Sequence, residues 1–139
     1  MLTKKDKIEY FKRECKNMHY YKEMVLKCNE RLEELAISLQ GVSSPHVKDI
    51  VYENVSDPYQ NNKLYLMMDE ERVIKERQDY IAKINYVNGK LLEIHSQQDQ
   101  NMIKDLYIIG MRHENTAEKY GYTRDGMYKR IDKVLGLIL

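Results

Sequence analysis

The sequence predicts an all-α fold: two long heptad helices, paired as a hairpin or as an intermolecular coiled coil, followed by a C-terminal helix-turn-helix. Three observations carry this. Apolar residues recur at three-four spacing over residues 4–40 and again over residues 63–95. Both prolines, Pro45 and Pro58, fall between those runs. The closing stretch HENTAEKYGYTRDGMYKRIDKVLGLIL, His113 to Leu139, has the small residue, glycine turn and cap that two short crossing helices require.

Residues 4–40 read as one helix. Thr3 is placed to cap it, with Asp6 three residues on. Ile8, Phe11, Cys15, Met18, Val25, Leu32, Ala36 and Leu39 form its seam, with Lys22 and Asn29 as polar interruptions, and Gly41 ends it. The segment 41–62 breaks the period with its prolines and clusters of Ser, Asn and Asp, and reads as an irregular connector holding at most a short extended piece. Helix resumes at 63–95, where Leu66, Val73, Tyr80, Val87 and Ile94 recur every seven residues, with Ile84 and Leu91 between them. Glu70 and Arg77 interrupt that seam. Neither long helix is polar all round, so each needs a partner face. Residues 1–95 therefore form a coiled-coil or oligomerisation region. A shorter helix over 97–110 buries Met102, Ile103, Leu106 and Tyr107 and closes at Gly110.

Residues 97–139 then form the helix-turn-helix domain. Ala117 is the small residue at the close approach, and Gly121 supplies the left-handed turn. Tyr120 and Tyr122 flank that turn, and Thr123 caps the last helix. Met127, Ile131, Val134, Leu135 and Ile138 are its buried stripe, leaving Arg124, Asp125, Tyr128, Lys129 and Asp132 outward. A recognition helix enters the major groove by its N-terminal turns, here Thr123, Arg124, Asp125 and Tyr128. Arg124 suits bidentate donation to guanine, and Lys129 a base edge or a phosphate. Arg112 and His113, just before the first helix, are placed for phosphates. Two residues depart from the ideal pattern. Thr116 stands where a larger apolar residue is usual, and Gly126 loosens the recognition helix by about 1 kcal/mol relative to Ala.

Composition narrows the function classes. The 139 residues carry 23 Lys+Arg and 22 Asp+Glu, a formal net charge of +1 that does not by itself point to nucleic acid. The sign is uneven: nine basic against seven acidic groups in residues 1–40, one against three in 41–62, six against four in 111–139. Twelve Tyr and eight Met beside one Phe supply most of the bulky groups, so the core is polar-edged. Cys15 and Cys28 are separated by ~20 Å of helical rise and cannot bridge within one helix, which leaves free buried thiols. His19, His46, His95 and His113 lie in separate segments without metal-ligand spacing, and no nucleophile motif or phosphate loop is present. No enzyme, cofactor or metal site is expected. MLTKKDKIEY lacks an apolar signal core and no run reaches membrane-spanning length, so a cytoplasmic protein without membrane contact is expected.

The stretch IKDLYIIGMRHENTAEKYGYTRDGMYKRIDKVLGLI, Ile103 to Ile138, resembles the last DNA-binding region of sigma-70-type factors. The whole chain is similar to small phage and prophage regulators of the ArpU/RinA type, with GVSSPHVKD, Gly41 to Asp49, matching their connector loosely. The resemblance implies an activator of late phage genes for packaging, structure or lysis. It implies double-stranded DNA as partner, host RNA polymerase as a further one, and homo-oligomers. Carried over by position, Thr123, Arg124, Asp125, Tyr128 and Lys129 become the DNA-reading set. Two other readings fit the residues: a small terminase-like packaging protein, and a structural coiled-coil module without a nucleic-acid role.

Overall fold

The heptad runs, the glycine turns and the caps resolve into helices in a computed structural model of the protein, which describes residues 2–42 and 58–139. Among the described residues there are six α-helices, one π-helical segment and no strand. They are α1 (Lys4–Lys16), α2 (Met18–Val42), α3 (Pro58–Leu92), α4 (Gln97–Ile103), the π segment (Lys104–Ile109), α5 (His113–Lys119) and α6 (Arg124–Ile138). The short extended piece expected within 41–62, and the GVSSPHVKD match beyond Val42, lie outside the described residues.

The N-terminal cap forms reciprocally. The Thr3 hydroxyl accepts the Asp6 N–H at 3.1 Å, and the Asp6 carboxylate accepts the Thr3 N–H at 3.1 Å. The single helix expected over 4–40 is interrupted at Asn17, whose backbone sits at φ −90° and ψ 1°. Its N–H is shared between the carbonyls of Arg13 and Glu14, and its own carbonyl accepts from Tyr21 N. The break is therefore a local tightening in which both backbone groups of Asn17 keep partners. The helix also runs past Gly41 to Val42, and α3 starts at Pro58 rather than 63, with proline at a first position that needs no N–H partner.

The chain divides into two compact units, each with its own core. One consists of residues 23–81. There α2 and α3 pack through Cys28, Leu35 and Val73, with Leu32 and Leu66 partly buried against them. In this unit Cys28 and Leu35 are the buried counterparts of the expected seam, whereas Ala36 is exposed; Tyr21, which belongs to the other unit, is buried as well. The two polar interruptions meet: Arg77 Nη1 donates to Asn29 Oδ1 at 3.0 Å. Arg31 and Arg72 both reach Asp69, at 2.8 and 2.5 Å.

The other unit joins residues 1–22 to residues 82–139. Phe11, Cys15 and Met18 from the chain's start pack with Val87, Leu91 and Ile94. Met102, Ile103, Leu106, Tyr107, Ala117, Met127, Ile131, Val134 and Leu135 complete the same core. Full burial of each large apolar side chain here contributes roughly 1.5–3 kcal/mol. Thus α1 packs on the π segment and on α6, so the N-terminal helix belongs structurally with the C-terminal ones. Cys15 and Cys28 are both buried and free; burial, with Glu14 adding to it, pushes the Cys15 thiol up to about 12.

Candidate nucleic-acid interface

Helix α5 is held between two left-handed glycines, Gly110 at φ 82° and Gly121 at φ 77°. After α5 the chain turns through paired bonds, Tyr122 N to Ala117 O at 2.8 Å and Gly121 N to Glu118 O at 3.2 Å. These satisfy the last carbonyls of α5 in a Schellman turn. Thr123 then caps α6, its hydroxyl accepting Gly126 N at 3.1 Å. Met127, Ile131, Val134 and Leu135 are buried as the spacing required, and Ile138 is partly buried.

Both departures noted in the sequence have a local reason. Thr116 is fully buried, and its hydroxyl donates to the Arg112 carbonyl at 2.9 Å, so the polar atom in an apolar position is satisfied. A Cβ at Gly126 would lie 2.9 Å from Thr123 Oγ1. Glycine there makes room for the cap, which a reading by helix propensity alone misses.

Buried and half-buried ties fix this pair of helices on the rest of the unit. Asp105, in the π segment, accepts from Lys119 Nζ at 2.8 Å and from the Tyr120 hydroxyl at 2.5 Å. Burial raises the Asp105 pKa, but Lys119 and Tyr120 outweigh it and hold the carboxyl below its ordinary value. Asp99, buried in α4, receives Arg130 of α6 in a fork at 2.8 and 3.2 Å.

On the solvent side, Tyr128 is the meeting point. His113 Nδ1 is in close contact with its hydroxyl, and the two rings stand edge to face with centroids 5.4 Å apart. Arg124 Nε donates to the same hydroxyl at 3.1 Å, its guanidinium lies 5.8 Å from the ring centroid, and its Nη1 is 3.4 Å from Glu114 Oε1. The Tyr128 bond, helped by Glu114, raises the Arg124 pKa. Arg124 and Glu114 are both more than half exposed, so that pair is worth little in stability. His113, Arg124 and Tyr128 are thus brought together. The side chains of Lys129, Arg112 and Asp125 are exposed and make no hydrogen bond or ion pair among the described residues. Asp125 sits in the first turn of α6, where a negative charge suits the helix dipole. Thr123, used as acceptor by the cap, keeps its hydroxyl proton for donation. Asp132 is tied to Lys12 of α1 at 2.8 Å.

Sequence reasoning missed three participants. Glu114 restrains Arg124, Tyr107 lies beside Lys12 and Lys16 with ring centroid distances of 5.6 and 5.9 Å, and α1 brings its cations to α6. It also missed the charge division. The unit bearing α5 and α6 holds 16 Lys+Arg against 10 Asp+Glu, a net of +6, whereas the unit of residues 23–81 holds 7 against 12, a net of −5. The overall +1 conceals this, because the basic residues 1–22 are remote in sequence from the segment they join.

No family model, no curated protein and no solved structure matches the chain. Among the described residues, no helix is long and apolar enough to cross a membrane, and no three His, Cys, Asp or Glu side chains cluster so as to hold a metal ion.

Proposed function

We propose that the chain is a sequence-specific regulator of transcription that binds double-stranded DNA with the N-terminal turns of α6. The observation that carries this is the convergence of His113, Arg124 and Tyr128 on one exposed face, beside the unpaired Lys129, on a unit of net charge +6. Arg124 reads a guanine edge, and its hydrogen bond to Tyr128 and contact with Glu114 orient it beforehand. Lys129 reaches a base edge or a phosphate. Arg112, His113 and Thr123 contact phosphates, and Asp125 accepts from a cytosine amino group.

The resemblance of residues 103–138 to sigma-type DNA-binding regions supports the biological part of the proposal: activation of phage late genes for packaging or lysis, in the manner of ArpU/RinA-type regulators. That part includes the cytoplasm as location, host RNA polymerase as a further partner, and homo-oligomers formed through the long helices. It includes no catalytic role. A genome-wide pulldown with tagged protein tests it, followed by binding to the recovered site. Arg124→Ala is expected to abolish preference for that site over unrelated duplex while leaving the helical circular-dichroism signal intact. Undiminished preference in the variant would overturn the assignment of the reading face.

A further inference from the structure

We propose that α1 is a second arm of the DNA interface, with Arg13 and Lys16 contacting phosphates that flank the duplex engaged by α6. The inference rests on the reading of α6 just given and names a surface from the opposite end of the chain. Helix α1 lies against α6: Lys12 Nζ meets Asp132 Oδ1 at 2.8 Å, and Lys4 Cε lies 3.7 Å from the Cβ position of Gly136. Lys12 and Lys16 both reach the Tyr107 ring. Tyr128 stands one helical turn before Asp132 on α6, and Asp132 holds Lys12, whose Nζ lies 5.6 Å from the Tyr107 ring centroid. The cations of α6 therefore continue across two tyrosines onto α1.

The acids that would oppose phosphate on this path are largely occupied. Asp132 is bonded to Lys12, Asp6 is held in the capping box, and Glu14 is buried and accepts the Tyr21 hydroxyl at 2.6 Å. Glu9 remains exposed beside Lys12, Arg13 and Lys16, which follow it at i+3, i+4 and i+7 on one helix face. Arg13 and Lys16 are exposed and carry no ion pair among the described residues. A phosphate backbone is the complementary partner. Because these contacts are to phosphate, they add affinity without adding sequence preference.

The test measures binding of a fluorescein-labelled duplex of random sequence by anisotropy across a salt series. It compares the parent, Arg13→Gln/Lys16→Gln, Arg13→Gln alone, and a charge-matched control, Lys63→Gln/Lys75→Gln. Loss of two phosphate contacts lowers the slope of log affinity against log salt by ~1.8 and weakens binding by tens of fold at about 0.1 M salt. The single variant is expected to lose half of that slope change, and the control none. All variants should keep the parent's circular-dichroism spectrum; if the double variant does not, the single variant decides. A parental slope in both α1 variants, or an equal loss in the control, would overturn the α1 arm and leave the α6 reading standing. A parent without salt-dependent binding would overturn both.

Discussion

Gly126 offers the sharpest test of how the end of the chain is built. In an open helix position, Gly→Ala stabilises by about 0.8–1 kcal/mol. Here the new Cβ would stand 2.9 Å from Thr123 Oγ1, with Tyr122 Cδ1 at 4.0 Å. The contact is too short to persist, and the hydroxyl has one short, branched side chain with which to retreat. Retreat breaks its bond to Gly126 N, and losing such a cap costs about 1 kcal/mol. Gly126→Ala should therefore be close to neutral, or destabilising by some tenths. With the hydroxyl removed by Thr123→Gly, which itself costs only a few tenths of a kcal/mol, the same Gly126→Ala change should regain its full ~1 kcal/mol. The double-mutant cycle then shows a coupling of about 1 kcal/mol, equivalent to roughly 4 °C in melting temperature for a chain of this size. Urea and thermal unfolding of the four proteins, followed by far-ultraviolet circular dichroism, measure it. Additive effects, within about 0.3 kcal/mol, would refute the competition between cap and Cβ.

Three further outcomes are expected. Gly121→Ala should destabilise by about 1–2 kcal/mol, because φ 77° is costly for a side chain even where space is open, and an unchanged melting curve would argue against the turn. Asp105 titrates below its ordinary value in the folded state, so its tie to Lys119 and Tyr120 stabilises at pH above about 4 and is lost as pH falls through the lowered pKa; Asp105→Asn should flatten the acid limb of a stability–pH profile, and a parental acid limb would count against the tie. Cys15, buried and raised to about 12, and Cys28, buried and also raised, should both resist a thiol reagent at pH 8 until the chain is unfolded; rapid labelling of the native protein would contradict their burial.

What could be read in the sequence was whatever is set by near neighbours. The Thr3–Asp6 cap, the Gly110 and Gly121 turns, the Thr123 cap and the buried stripe of α6 each depend on a few consecutive residues, and each appears where its spacing placed it. The long-helix seam was only half legible. A seven-residue repeat revealed Leu32 and Leu39, but the matching positions hold Tyr21, Cys28 and Leu35, two of which read as weakly apolar. Asn29 and Arg77 looked like separate flaws because their hydrogen bond spans 48 residues. Thr116 and Gly126 looked like defects because their compensations, a carbonyl acceptor and a close hydroxyl, are geometric. At the proposed interface, the residue types at positions 112–129 were legible, whereas Glu114 as a restraint on Arg124 and the approach of α1 were not.

The charge division bears directly on how such a chain is judged. A sum of +1 argues against phosphate binding only if the phosphates experience the sum. They do not, since at physiological salt the field of exposed charges decays over ~8 Å, so an interface is governed by the surface around it. For α6 that surface belongs to a unit of net +6, assembled from residues 1–22 and 82–139. Within it, three acids near the proposed reading face are bound to cations, Glu114 to Arg124, Asp132 to Lys12 and Asp105 to Lys119, while Asp125 stays unpaired. The cations left without such partners, Arg13, Arg112 and Lys129 among them, then carry the excess. The near-neutral total and a phosphate-binding surface are compatible because folding sorts the charges into different units, a sorting that no linear window of the sequence contains.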